Sequence, residues 1–266
     1  MIVSPLAGLT PCRSSLIKLL ATSALCLAAA TSALAQAGPP MLTDDPGTAP
    51  KGKIEWNTAA AIQRNRDGSG ETLLPIVDIS YGLTENVELS YESHWMIARE
   101  PDAAAKAGWD DTTLAFKWRF FDEDKAGVDM SIEPQFTFNT GSSAYRRGVL
   151  SKNSDLLIPF ELGKTLGPVV LNIEAGRDFH AHRAAQTDYW FAGVTLGHEF
   201  NPKFEGVVEL YLPETSRDFR RNSVILNLGG RYKLGKDSSL LASAGPGIGG
   251  AERPKYVAYF GLQLVF

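Results

Sequence analysis

Hydrophobic and polar positions alternate along most of this chain. At its end, Tyr256, Ala258, Phe260, Leu262, Leu264 and Phe266 share one face, and Lys255, Val257, Tyr259, Gly261, Gln263 and Val265 the other. The same rhythm places Val224, Leu226, Leu228, Gly230, Tyr232 and Leu234 opposite Ser223, Ile225, Asn227, Gly229, Arg231 and Lys233, and Leu114, Phe116, Trp118 and Phe120 opposite Lys117 and Arg119. In an extended strand successive side chains point to opposite sides, so period two predicts strands. No long segment carries a helical repeat. Cut at its turn residues, the pattern predicts twelve strands, approximately 53–64, 71–83, 86–97, 111–121, 127–139, 154–165, 168–179, 187–200, 203–213, 222–234, 238–247 and 254–266. Most are longer than the ~5–6 residues of an ordinary globular strand. They match the ~9–11 residues that a tilted membrane strand needs.

The connections alternate as well. Thr84-Glu85, Asp122 to Ala126, Leu166-Gly167, Asn201-Pro202 and Gly235-Lys236-Asp237 are short, while Arg64 to Gly70, Ile97 to Asp110, Gly141 to Asn153 and Glu214 to Arg221 are longer. Short periplasmic turns, long outer loops and both ends on the periplasmic side are the layout of an outer-membrane barrel. Aromatics fall in two belts, with Tyr81, Phe120, Phe200, Phe204 and Phe266 on the periplasmic rim and Trp95, Phe138, Trp190 and Tyr256 near the outer one. The expected fold is all-β: a closed antiparallel transmembrane β-barrel of about 12 strands over residues 53–266, in the outer membrane of a Gram-negative bacterium. A soluble barrel with ordinary core aromatics is the alternative that strand length disfavours.

Residues 1–35 break the pattern. Arg13 and Lys18 precede an apolar run from Leu19 to Ala30, and Ala33-Leu34-Ala35 is a small-x-small site before Gln36, the order of a cleavable signal peptide. Both cysteines, Cys12 and Cys26, lie inside it, which leaves the remainder without thiol chemistry. Removing this leader takes two of the 26 basic residues and none of the 30 acidic ones, so the net charge becomes −6, a balance that argues against nucleic acid as a partner. Residues 36–52 are rich in proline and glycine and lack alternation. They form a periplasmic segment or a plug in the lumen, where Asp44 and Asp45 could pair with bases.

With the apolar face turned to lipid, the polar face lines the lumen. It collects Glu88, Glu92, Lys117, Arg119, Asp129, Glu133, Glu161, Glu209, Arg231 and Lys233 as candidate selectivity residues, within a lining of eleven acids and five bases. Such charges either pair with one another and fill the barrel or filter what passes. Catalytic chemistry finds no foothold: Ser93 and His94 are neighbours on one strand and face opposite ways, His198 has no matching serine, and no G-x-S-x-G elbow exists. The His180-x-His182 spacing lacks a clear third ligand, so no metal and no cofactor are expected.

Gly38-Pro39-Pro40-Met41-Leu42-Thr43-Asp44-Asp45-Pro46 resembles the opening of a family of outer-membrane barrels labelled with the meta pathway of phenol degradation. The likeness continues in Ile54-Glu55-Trp56, in Asp111 followed by Phe116-Lys117-Trp118-Arg119-Phe120, in Asn139-Thr140-Gly141 (where the family more usually has Pro-Thr-Gly), and in Leu226-Asn227-Leu228-Gly229-Gly230. The resemblance implies a barrel that admits aromatic or other hydrophobic compounds, and carries over no catalytic residue. The expected function is passive uptake of small solutes through an outer-membrane channel; the alternative is a non-conducting structural or interaction barrel. The expected partners are outer-membrane lipid, a small-molecule solute, and the barrel-assembly machinery reading the last strand with its terminal Phe266.

Overall fold

The computed structural model describes residues 38–138, 140–148, 154–181, 188–215 and 222–266. Residues 1–35, expected above to be a leader, and Gln36-Ala37, Asn139 and His182 lie outside them. The described strands are β1 (Ile54–Asn65), β2 (Gly70–Gly82), β3 (Val87–Arg99), β4 (Lys106–Trp109), β5 (Thr112–Phe121), β6 (Asp129–Ile132), β7 (Gln135–Phe138), β8 (Ser154–Leu166), β9 (Val169–Ala181), β10 (Tyr189–Asn201), β11 (Phe204–Thr215), β12 (Val224–Lys233), β13 (Ser238–Gly245), β14 (Gly247–Gly249) and β15 (Pro254–Val265).

Fifteen segments make twelve staves, because three staves are interrupted; register carries through the β6–β7 break and shifts by one residue between β4 and β5. β6 and β7 flank Glu133-Pro134, yet both pair with β5 and with β8. Proline has no N–H to give the ladder, but its carbonyl still accepts the Phe116 amide at 3.1 Å. β13 and β14 part at Pro246 in the same way, and the Pro246 carbonyl takes the Leu226 amide at 3.1 Å. β4 and β5 part at Asp110-Asp111, and the Asp110 amide still reaches the His94 carbonyl at 2.9 Å. The predicted strand 111–121 thus reaches outward as far as Lys106, beyond what the sequence pattern shows. The loop read there as one long connection is partly sheet.

Every stave pairs antiparallel with its neighbours, and β1 closes on β15 from Glu55 opposite Val265 to Arg64 opposite Tyr256. Ile54 and Phe266 exchange hydrogen bonds in both directions, at 2.9 and 3.3 Å, so the last residue completes the seam. Closure leaves no unpaired edge, the condition for strands to cross hydrocarbon. Among the described residues no helix is long and apolar enough to cross a membrane.

The short turns hold as predicted. The longest carries one helical turn, α1 (Glu123–Ala126), capped by the Asp122 carboxylate on the Asp124 amide and ended by Gly127 at φ +78°, a left-handed conformation that suits glycine. The Glu123 carboxylate meets Lys164 at 2.9 Å and accepts from the Thr165 amide and hydroxyl, tying two adjacent turns. Burial pushes this carboxyl up, but those hydrogen bonds prevail and hold it below the usual range. On the other rim, α2 (Ser142–Arg146) folds over β4.

The inside-out distribution of polarity matches the pattern in the sequence. Phe260 is 60% exposed and Leu228 59%, on the face that also carries Trp56, Leu89, Phe116, Phe160 and Leu196, whereas Glu209 is 0% and Glu161 1% exposed within. An apolar belt of this extent around the whole circumference is intolerable in water and natural in lipid.

A lumen crossed by its own N-terminal segment

Residues 38–53 do not hang below the barrel. From the turn end, where the Gly52 amide donates to the Gly82 carbonyl at 2.7 Å, the chain enters the lumen and runs to the opposite wall. Three carboxylates on three staves catch its main chain. Glu88 on β3 accepts from the Ala49 amide at 2.5 Å, Glu174 on β9 from Asp44 at 2.9 Å, and Glu209 on β11 from Leu42 at 2.9 Å and from Thr43. Beyond them, the Ser243 hydroxyl on β13 donates to the Pro40 carbonyl at 2.6 Å. Hydrogen bonds between a carboxylate and an amide are charge-assisted and about twice as strong as neutral ones.

The wall also makes room. An ideal Cβ on Gly193 would lie 2.0 Å from Thr43 Oγ1, one on Gly163 2.8 Å from Pro46 Cγ, and one on Gly229 2.5 Å from Met41 Cε. These three glycines face inward on β8, β10 and β12. They are the feature of the site that sequence reasoning overlooked. The available signal was glycine recurring on the inward positions of otherwise well-formed strands.

At the centre of the crossing, Lys117 on β5 is 3% exposed. Its ammonium meets Asp44 at 2.8 Å, Glu133 at 3.3 Å and Glu161 at 3.8 Å, and also donates to the Asp45 carbonyl at 2.9 Å. Glu161 in turn accepts from the Ser131 hydroxyl. Of the predicted lumen residues, the structure brings Lys117, Glu133, Glu161 and Asp44 into one cluster and puts Glu88 and Glu209 on the segment's amides. It sets Asp129 on the Glu123 amide at 2.9 Å and Arg119 on the Glu85 carbonyl at 2.9 Å, both at the turn end. Glu92 lies towards the outer half with its side chain largely open, 3.4 Å from His94, whose other ring nitrogen is 2.6 Å from Asp110. Arg231 and Lys233 border a separate cavity of about 240 Å³ at the turn end, with Glu55 and Gln263. A second cavity of about 170 Å³ runs beside the segment past Asp78, Glu88, Lys117 and Glu133 and is lined mainly by polar groups.

The two adjacent acids of the segment sit in different fields. Burial pushes the Asp44 carboxyl up, but Lys117 prevails and holds it below the usual range. At Asp45, burial first and then the charge of Asp44 outweigh the pull of Lys117 and raise the carboxyl to about 8. A carboxyl raised on docking is held better in its protonated form, so docking strengthens as pH falls through the window between ~4, the value of the released segment, and about 8. Acidification from pH 8 to 5 is therefore expected to tighten the segment. The check is the fraction of time the lumen conducts in a planar bilayer. Asp45→Asn, which can keep the acceptor for the Gly47 amide at 2.6 Å, should flatten that dependence.

Among known proteins, the family model described as "Putative MetA-pathway of phenol degradation" matches residues 42–260. No curated protein matches in sequence. Among solved structures, the COG4313 outer membrane channel from Pseudomonas putida F1 is similar at a TM-score of 0.65, with 13% identity over 84% of this chain and 98% of that one. The toluene transporter TbuX of Ralstonia pickettii is similar at 0.52, with 8% identity over 86% of this chain and 94% of that one. The KdgM porin is similar at 0.51, with 15% identity over 80% and 99%. These likenesses concern the fold, which is that of outer-membrane channels.

Proposed function

This chain belongs to the family described as "Putative MetA-pathway of phenol degradation", and from that premise we propose that it is a passive outer-membrane channel for small solutes, aromatic and other hydrophobic compounds among them. The observation that carries the reading is a polar lumen with cavities of about 170 and 240 Å³ beside and below the crossing segment. A structural barrel has no need of a lining with such gaps. We read residues 38–52 as the plug that sets the resting conductance, and the Lys117 cluster with Glu88 and Glu209 as its seat. Glu92, Asp129, Arg119, Arg231 and Lys233 then line the way past it. The solved channels and porins of this fold support a non-catalytic role, as does the arrangement of Ser93 and His94 facing opposite sides of one strand.

Planar-bilayer recordings of the refolded protein test the reading. The intact chain should conduct weakly, and a variant lacking residues 38–50 severalfold more. Silence from both would favour the sealed barrel, a reading that the dense pairing around Lys117 makes the one serious competitor.

The assembly machinery is proposed to read the last strand through Phe266, which is exposed to lipid beside the seam. Deleting Phe266 should lower the folded protein found in the outer membrane severalfold, while refolding from urea into detergent proceeds as before. Equal loss in both assays would instead make Phe266 a structural part of the seam alone.

A further inference from the structure

The outside of the barrel carries one pair of charges that no acid among the described residues neutralises. Along β15, β1, β2 and β3 the outward positions run from residues such as Ile54 and Tyr81 at the turn end to Arg64, Gly70 and Arg99 at the other. They include no acid, and their only charges are Arg64 and Arg99, both in the last row. Arg64 lies ten residues beyond Ile54. At ~3.3 Å per residue and a tilt of ~35–45°, that rise is ~25 Å, the height of the apolar band of a membrane barrel. The two guanidinium groups therefore stand at the level of the outer-leaflet headgroups.

Gly70 stands between the arginines, opposite Arg64 on one side and Arg99 on the other. An ideal Cβ on it would lie 3.2 Å from Arg64 Cδ, so the bare position gives the Arg64 stem its room. The Arg64 guanidinium is fixed over β2. Its Nη1 donates to the Gln63 and Glu71 carbonyls at 3.1 and 3.0 Å, and its Nη2 to the Thr72 hydroxyl at 3.1 Å. Those acceptors are neutral, and two of the five guanidinium donors stay open. Arg99 is exposed, and among the described residues it has neither a hydrogen bond nor an ion pair. With Gly70 alone between them, the two backbones are ~10 Å apart, and the like charges repel unless an anion joins them. Arg177 gives the contrast. It also faces outward at this rim, but it rests against the Phe179 and Trp190 rings and meets Asp188 at 3.0 Å, so its charge is answered within the protein.

We propose that Arg64 and Arg99 form a binding site for the phosphate of an outer-leaflet lipid, whose acyl chains lie on the apolar rows below. Arginine suits phosphate, because its planar fork meets two oxygens at once, and Arg99 has the whole fork to offer. A phosphate over Gly70 takes the open donors of both side chains and removes their repulsion. Ile62 and Ile97 are the next outward residues towards the membrane centre, and beneath them Trp95 and Trp109 meet edge to face at 5.9 Å. That wall accepts hydrocarbon, which a soluble phosphate does not have to bury. The site lies outside the wall, so it stands whether or not the lumen conducts.

The test is native mass spectrometry of the full mature chain in detergent, titrated with phosphatidic acid, with diacylglycerol of the same chains and with inorganic phosphate. Phosphatidic acid should bind saturably, roughly tenfold or more tighter than the other two, and less tightly as salt rises. Arg64→Gln combined with Arg99→Gln should remove that advantage, while Arg177→Gln leaves it in place. Arg99→Gln alone, at a side chain that bonds nothing else in the described protein, should weaken binding severalfold with thermal unfolding unchanged, and it decides the matter if the double variant fails to fold. Diacylglycerol or inorganic phosphate binding as tightly as phosphatidic acid overturns the proposal. So does Arg99→Gln binding like the parent, or Arg177→Gln losing as much as Arg99→Gln.

Discussion

Lys117→Met should be the most damaging single substitution in the barrel. The side chain is almost the same length, so packing is kept, but Asp44, Glu133 and Glu161 lose the cation they share. Removing one partner of a buried charge pair costs about 3–5 kcal/mol, because what remains is uncompensated charge. The expected readout is a large fall in the urea midpoint of unfolding in detergent, with an unchanged slope. The loss should shrink on acidification, since the stranded carboxylates can then take up protons. A second consequence is functional. Asp44 ties the segment to Lys117 inside the lumen, so the variant should also conduct more than the parent. A midpoint within error of the parent's would show that the cluster is solvated and that the segment is held elsewhere.

Gly193→Val should open the lumen with much less harm to the wall. Position 193 pairs with Tyr211 and Glu174 on its two neighbouring strands, and valine is at home in a strand. Its Cβ, however, would occupy the space of the Thr43 side chain, 2.0 Å from Oγ1, and would also press on the Tyr211 ring at 2.9 Å, which can turn aside. The segment, which has no sheet ladder along its length, must yield before the closed sheet does. Conductance is expected to rise towards that of the variant lacking residues 38–50, with little change in the urea midpoint. Gly193→Val combined with Thr43→Gly should restore part of the block. A conductance that stays at the parent's level would mean the segment can dock around the obstruction.

Much of the barrel was readable in advance because lipid enforces a strict code. Phe116, Trp118 and Phe260 had to alternate with polar partners, the turns at Leu166-Gly167 and Asn201-Pro202 had to be tight, and an even strand count had to bring Phe266 back to β1. Interruptions were harder to see. Pro134 and Pro246 break the local pattern while their carbonyls keep the ladder whole, so one stave reads as two pieces. The outer extension Lys106–Trp109 is held by pairing with β3, and nothing in four short residues announces it.

The lumen was legible in composition and not in partnership. Asp44 and Asp45 were expected to meet bases, and Asp44 does meet Lys117. The acidic surplus of the lining had pointed to pairing or filtering; Glu133 and Glu161 do pair with Lys117, and other acids take up a further partner. Glu209 meets Leu42 and Thr43 across 167 and 166 residues of chain, and Glu174 meets Asp44 across 130. What these acids recognise is main-chain N–H, a group every residue but proline carries, so no side-chain motif could have marked the contact. The glycines at 163, 193 and 229 were equally silent, since a missing side chain reveals a neighbour only when the neighbour is seen.

A grip on backbone amides has a consequence for how this segment can vary. Its prolines stand at 39, 40, 46 and 50, while the amides in use belong to 38, 41, 42, 43, 44, 45, 47, 49, 52 and 53. The two sets interleave without overlap. Ring-locked residues stiffen the strap wherever no amide is needed and are kept out wherever one is. The side chain of Leu42, exposed and without a role in the docking, is free to drift through most of the alphabet over generations. One imino acid in the wrong place would unfasten the strap more surely than any change of charge or size at that position.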